Sequence, residues 1–81
     1  MINAGETRID IYPNPTANLV RVHLTKPEVG TFMLYSLDGY LLKQGKVSRD
    51  FEIDLVEQIP GIYLLYLEVD SGLIQRKIIK E

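Results

Sequence analysis

The sequence has no cysteine, no tryptophan and a single histidine among its 81 residues. Without cysteine, the chain can form neither a disulfide framework nor a thiolate metal site. The one histidine, His23, has no second histidine with which to share a metal, and the serines fall in or beside predicted turns. No EF-hand spacing and no glycine-rich phosphate loop is present. The sequence therefore predicts no catalytic residue, no cofactor and no metal site.

An excess of positive charge is also lacking. Lysine and arginine number nine against eleven acidic residues, which gives a net charge of −2 and argues against nucleic-acid binding, since that needs a concentrated excess of basic residues. The longest apolar run, Ile62–Leu67, is far shorter than the ~20 residues of a membrane-spanning helix. Met1–Glu6 has neither the basic nor the apolar stretch of a signal peptide. We expect one small soluble domain, with any export signal upstream on a longer chain.

What the sequence does have is period-two alternation of polar and apolar residues, broken by short turn signals such as Pro13-Asn14-Pro15 and Asp38-Gly39. No segment keeps a helical period, and Val56–Gln58 is expected to form one helical turn at most. The pattern predicts an all-β, seven-stranded antiparallel sandwich. The predicted strands are Arg8–Tyr12, Leu19–Leu24, Thr31–Ser36 (opened by Gly30), Tyr40–Gln44, Phe51–Leu55, Ile62–Val69 and Leu73–Ile79.

The acidic residues of the fifth strand invite two interpretations. Asp50, Glu52 and Asp54 recur at period two and therefore project from one face of that strand. They form either a cation site or a solvated strand face whose charges oppose aggregation. We favour the solvated face, because an in-line row lacks the loop geometry that calcium requires.

Charge is unevenly distributed along the chain. Residues 47–70 contain one basic and six acidic residues, whereas residues 71–81 contain three basic residues and one acidic residue. The basic final strand is expected to lie beside the acidic stretch or to be offered to a partner, for example by strand addition. Ordinary surface complementarity is the simpler explanation.

Four short motifs resemble, in order, those of the type A C-terminal sorting domain of the type IX secretion system. Ile11–Thr16 resembles its "YPNP" opening, Leu34–Gly39 its hairpin motif, and Ile59–Tyr63 its "LPxGxY" motif. Lys77–Lys80 is similar to the basic closing strand of that family. The resemblance extends from about Arg8 to Glu81. Two residues depart from it: Ser36 stands where the family often has Asp, and Tyr40 stands where it usually has Arg or Lys.

This resemblance implies an immunoglobulin-like sandwich that serves as a secretion signal and is not an enzyme. Such a domain directs an N-terminal cargo, already in the periplasm of a Gram-negative bacterium, through the outer-membrane translocon to the cell surface. An outer-membrane shuttle protein then passes the cargo to a sortase-like cysteine peptidase. The peptidase removes the domain and joins many cargoes to anionic lipopolysaccharide. No small-molecule substrate is implied.

The resemblance also assigns roles to residues. Recognition is expected in the C-terminal hairpin, at Gly61, Tyr63, Lys77, Ile78, Ile79 and Lys80. Structural roles are expected for Tyr12, Pro13, Asn14 and Pro15 in the first turn and for Asp38 and Gly39 in the hairpin. Tyr63 is expected to bury its ring with its hydroxyl hydrogen-bonded. Residues 1–7 are expected to be a linker or an expression-derived segment, with the cleavage site in residues 3–7, and residues 8–81 the sorting domain.

One alternative from another class is a non-catalytic adhesive or carbohydrate-binding sandwich attached to a secreted enzyme. Such a module needs exposed aromatic side chains on one face. Most of the tyrosines lie in strands whose neighbours are predicted to be buried, so core packing is the favoured role. Exposed strand edges also make a strand-mediated dimer conceivable. The five tyrosines are Tyr12, Tyr35, Tyr40, Tyr63 and Tyr66.

Overall fold

A computed structural model describes residues 8–81, so the predicted linker and cleavage segment in residues 1–7 lie outside the described residues. Within residues 8–81 the chain forms seven strands and no helix, as the alternation predicts. Segment 56–58, the one candidate for a helical turn, is a simple turn closed by the Gln58 N–H on the Leu55 carbonyl. The strands are β1 Ile9–Tyr12, β2 Leu19–Leu24, β3 Gly30–Ser36, β4 Leu41–Lys46, β5 Asp50–Asp54, β6 Gly61–Val69 and β7 Gly72–Lys80.

The strands form two antiparallel sheets. The three-stranded sheet has the order β1-β2-β5, and the four-stranded sheet has the order β4-β3-β6-β7. Their inward side chains share one core, which confirms the predicted all-β antiparallel sandwich and is consistent with an immunoglobulin-like fold. After the β3–β4 hairpin the chain crosses to the other sheet, where β5 pairs with β2.

The core follows the alternation of the sequence. Val20, Val22 and Leu24 on β2 are at most 1% exposed, as predicted from their spacing. Each such side chain contributes about 1.5–3 kcal/mol when it is fully buried, which is large against the marginal stability of a small domain. Side chains from β3, β5, β6 and β7 complete the core with Leu34, Ile53, Leu65, Leu67 and Ile78.

The described chain enters the sandwich at the end where β1 begins. There the Thr25 N–H donates to the Arg8 carbonyl, and the Arg8 N–H donates to Oγ1 of Thr25 at 2.8 Å. The start of β3 lies at this same end of the molecule, because the short β4–β5 connection joins the two: the Val47 N–H donates to the Gly30 carbonyl, and the Arg49 carbonyl accepts from the Leu24 N–H. We call it the entry end.

Candidate functional site

The four motif segments meet at the end of the sandwich opposite the entry end. Ser36, before the hairpin turn, is paired with Tyr63 at the start of β6, and Gly61 is paired with Lys80 at the end of β7. An isolated parallel bridge joins Thr16 to Lys80. We call this region the motif end and define it as residues 12–18, 36–40, 55–63 and 77–81.

The Pro-Asn-Pro turn is bonded to the outer edge of β7. The Asn14 amide Nδ2 donates to the Lys77 carbonyl at 2.9 Å, and the Ile79 N–H donates to Asn14 Oδ1 at 2.9 Å. The Thr16 N–H then donates to the Ile79 carbonyl, and the Glu81 N–H donates to the Thr16 carbonyl, at 2.9 and 2.8 Å. The turn therefore occupies edge groups of β7 that a strand at the rim of a sheet would otherwise expose.

The prolines explain why a side chain takes part in this pairing. Pro13 and Pro15 have no N–H to donate, and the peptide bonds that precede both are cis. The Asn14 side chain supplies one donor and one acceptor instead. The sequence predicts a fixed turn here but gives no indication of the strand to which it binds.

Thr16 is a structural residue that the sequence interpretation missed. It is 1% exposed, and its hydroxyl donates to the Leu19 carbonyl at 2.6 Å. Its position directly after the second proline is compatible with a turn hydroxyl, but nothing in the local sequence indicates burial. Throughout residues 8–81, every fully buried side-chain nitrogen or oxygen has a hydrogen-bond partner.

The Ile59–Tyr63 motif forms a corner between the β5–β6 loop and β6. Tyr63 is 5% exposed, and its hydroxyl donates to the Ile59 carbonyl, which confirms that the ring is buried and the hydroxyl satisfied. The Lys80 ammonium donates to the Gln58 carbonyl at 2.6 Å, one residue before Ile59, and Lys80 is 9% exposed. Both side chains therefore fix the same loop.

The residues expected to act in recognition divide into two groups by accessibility. Tyr63, Ile78 and Lys80 are buried at the motif end or in the core. Gly61, Lys77 and Ile79 are exposed, with Ile79 38% exposed. In the folded domain, only the exposed group presents side chains or backbone to a partner, and recognition by any of them stays a prediction.

The β3–β4 hairpin shows why its glycine is needed. Gly39 has a φ of 94°, which strongly favours glycine, and its N–H donates to the Ser36 carbonyl at 3.0 Å. The Tyr40 N–H donates to the Ser36 hydroxyl at 3.1 Å. Ser36 thus provides an acceptor at the position where the resembled family often has aspartate, while Asp38 lies exposed at the tip.

The prediction that most tyrosines pack in the core is wrong. Tyr63 is buried, but Tyr12 is 50% exposed at the end of an edge strand, and Tyr40 is 71% exposed just after the hairpin glycine. Tyr35 and Tyr66 are half-buried on the outer face of the four-stranded sheet. Their rings meet edge to face, with centroids 5.5 Å apart and an interplanar angle of 88°. Buried neighbours along a strand do not imply a buried tyrosine, because successive side chains alternate between the two faces and those of Tyr35 and Tyr66 point away from the core.

The outer face of the three-stranded sheet is charged, as predicted for the acidic row of β5. Arg21 on β2 contacts Glu52 at 3.1 Å, and Nδ1 of His23 lies 2.6 Å from Oδ1 of Asp50. Both contacts join residues that are directly opposite in the β2–β5 ladder. In the part of the chain that the structure describes, no group of three His, Cys, Asp or Glu residues is placed to hold a metal ion. The residues paired with the acidic side chains of β5 come from β2, whereas the basic strand β7 pairs with β6, so it lies beside the later part of the acidic stretch 47–70.

The comparisons with known proteins agree with this arrangement of motifs. A family model described as "Secretion system C-terminal sorting domain" matches residues 10–81, which include all four motif segments. No curated protein matches the chain. Within residues 8–81 there is no helix of the length and hydrophobicity needed to span a membrane.

Proposed function

The chain belongs to the secretion system C-terminal sorting domain family, and from this premise we propose how its fold serves sorting. It carries a type IX secretion signal, and the protein that bears it is secreted towards the cell surface. In our proposal, residues 8–81 are the address of an N-terminal cargo in transit through the periplasm of a Gram-negative bacterium. The translocon and an outer-membrane shuttle protein bind the folded domain. A sortase-like cysteine peptidase then removes it, within the segment that precedes residue 8, during attachment at the cell surface.

The convergence of the motif segments at one end supports this proposal most strongly. Asn14 and Thr16 from the start of the domain are bonded to Lys77, Ile79 and Glu81 at its close. These residues form one surface only after folding, so the signal is a three-dimensional arrangement and not a linear peptide. The domain is a non-catalytic tail, and any enzymatic activity is that of the cargo.

The position of the entry end fits the same proposal. The cargo is attached before Arg8, beside Thr25, whereas the motif end lies at the other end of the strands. A partner on the motif end therefore does not compete with the cargo for space. The exposed Gly61, Lys77 and Ile79 are the residues proposed to touch the partner, and Tyr63, Ile78 and Lys80 hold them in position.

The test is export of a reporter that carries this domain at its C-terminus and its own signal peptide. In a host with the pathway, the full fusion is expected at the cell surface, and a fusion that lacks residues 77–81 is expected to remain in the periplasm. The same full fusion in a host without the translocon is the matched control. Equal surface exposure of the truncated and full fusions, or surface exposure without the translocon, would contradict the sorting function.

A carbohydrate-binding function is the second candidate, favoured by the exposure of Tyr12 and Tyr40. Tyr12 ends β1 in the three-stranded sheet, whereas Tyr40 lies just before β4 in the four-stranded sheet. The rings of Tyr35 and Tyr66 are perpendicular, so neither pair forms a flat platform for a sugar ring. Saturable binding of the isolated domain to a glycan panel would support this candidate, and its absence would remove it.

A further inference from the structure

The outer face of the four-stranded sheet carries an apolar surface that the domain itself does not cover. Cross-strand pairing places Tyr35, Leu64 and Lys77 in one row, and Met33, Tyr66 and Gln75 in the next. Towards the motif end, Ile62 lies opposite Ile79, and the two are 40% and 38% exposed. We name these residues the apolar face: Met33, Tyr35, Ile62, Leu64, Tyr66 and Ile79.

These side chains point outward because their neighbours along each strand point inward. Leu34 is fully buried between Met33 and Tyr35, and Leu65 is fully buried between Leu64 and Tyr66. Successive side chains of a strand lie on opposite faces of its sheet. The Tyr35–Tyr66 ring contact and the shallow groove that Tyr35 and Leu64 line with the hairpin are therefore on the surface.

The other sheet of the same molecule provides the comparison. Its outer face carries the Arg21–Glu52 and His23–Asp50 contacts, as expected for the solvated face of an antiparallel sheet. The apolar face has tyrosine, methionine and branched aliphatic residues instead, the composition of the core of a protein–protein interface. A contiguous apolar patch on a soluble domain marks an interaction site.

The charge at its border indicates the chemistry of the partner. Lys77 extends from the same row as Tyr35 and Leu64, and within residues 8–81 its ammonium forms no ion pair. The row nearest the entry end pairs Thr31 with Lys46 and Glu68, and it ends on β7 at Leu73, which is 64% exposed. A protein that covers the apolar face would leave the Lys77 charge desolvated, and a carboxylate is the group that both accepts its hydrogen bond and balances that charge.

Building on the function proposed above, we propose that a protein of the secretion machinery docks on the apolar face. It packs apolar side chains against Tyr35, Leu64 and Tyr66 and places a carboxylate opposite Lys77. The face is continuous with the motif end through Ile62 and Ile79, two residues that flank the proposed contacts Gly61 and Lys77. Its position also leaves it free of the cargo, which is attached at the entry end in the other sheet.

The experiment compares two double variants of the exported reporter fusion. Leu64→Thr/Tyr66→Thr removes apolar surface from half-buried strand positions and keeps β-branched residues there. Arg21→Thr/Glu52→Thr removes a contacting pair from the opposite outer face without changing net charge. The first variant is expected to lower the surface-exposed fraction about ten-fold or more, as loss of an interface hot spot does, and the second to leave it unchanged.

Single variants at Lys77 test the proposed carboxylate. Lys77→Glu is expected to lower export about ten-fold, and Lys77→Arg to preserve it, because arginine keeps the charge. Normal export of Lys77→Glu would overturn the carboxylate assignment. Circular dichroism melting of each purified domain establishes that the variants are folded. If the double variant unfolds, Ile62→Arg replaces it, since a side chain at this exposed position reaches water.

The outcomes separate this inference from the sorting function. If folded apolar-face variants are exported normally while removal of residues 77–81 abolishes export, sorting stands and docking on the apolar face is overturned. If the apolar-face variants and the fusion that lacks residues 77–81 are all exported normally, the sorting function fails and the inference fails with it. A dimer in sedimentation that Leu64→Thr/Tyr66→Thr dissociates, or glycan binding that the same variant abolishes, would assign the face to a second copy or to a sugar and overturn the proposal.

Discussion

The Ile79 N–H donates to Oδ1 of Asn14 at 2.9 Å, a hydrogen bond between residues 65 positions apart in the sequence. The side-chain amide of Asn14 also donates, through Nδ2, to the Lys77 carbonyl. One side chain thus pairs with two backbone groups of an edge strand, as a backbone segment would in a sheet.

Asn14→Ala is expected to lower the free energy of unfolding by about 1–3 kcal/mol, since it removes both hydrogen bonds of the amide. Urea denaturation of the isolated domain measures this change. Asn18→Ala is the matched control, because Asn18 is an exposed asparagine of the same loop whose backbone carbonyl, which the substitution keeps, accepts from the Leu55 N–H. Equal effects of the two substitutions would show that the amide does not stabilise the turn.

Tyr63→Phe is expected to cost about 1–2 kcal/mol, because it leaves the Ile59 carbonyl without the hydroxyl that donates to it. Tyr40→Phe, at a side chain that is 71% exposed, is expected to stay within about 0.5 kcal/mol of the parent. Thermal unfolding followed by circular dichroism compares them. A neutral Tyr63→Phe would mean that the hydroxyl is not needed at this corner.

Lys80→Ala and Lys77→Ala are expected to differ although both remove a lysine from the same strand. Lys80 is 9% exposed and donates to the Gln58 carbonyl, whereas Lys77 is exposed. Loss of a charged hydrogen bond and of packed methylenes predicts a destabilisation of about 2 kcal/mol for Lys80→Ala. Lys77→Ala is expected to change stability little. The prediction is contradicted if chemical denaturation ranks them the other way.

Gly39→Ala is expected to destabilise the hairpin by about 1–2 kcal/mol, because its φ of 94° is unfavourable for a residue with a Cβ atom. Apart from Gly39 and its two chain neighbours, no atom lies within 4 Å of the position that this Cβ would take, so the cost comes from the local backbone conformation. Gly39→Asn is expected to cost less, since asparagine tolerates positive φ better. Denaturant midpoints of the two variants test this order, and an equal loss would point to a different cause.

The strands were predictable because burial in a sandwich imposes a period of two on the sequence. The spacing of Val20, Val22 and Leu24 alone predicts the inward face of β2, and the structure confirms it. The order of strands was not predictable, since nothing local states that β5 pairs with β2. The same holds for the bonds from Asn14 to β7, which join distant segments.

Two residue types show the limits more sharply. The predicted final strand ends at Ile79, so the sequence does not predict that the Lys80 side chain, in a basic motif, is only 9% exposed. Its burial depends on the Gln58 carbonyl, which only the folded loop brings near. For Tyr12 and Tyr40, the expectation of core packing rested on predicted buried neighbours in their strands, whereas their positions beside turns place them at the surface.

The contact of residues 14 and 16 with residues 77–81 has a consequence for the order of synthesis. The turn is among the first parts of the domain to be made, and its partner strand is the last. During translation the turn therefore has no partner, and pairing across so long a separation in sequence is slow compared with local structure. A chain that ends before Lys77 lacks these contacts altogether, and one that ends between Lys77 and Glu81 has only some of them. The full set of contacts therefore forms only when β7 has been synthesised to its end.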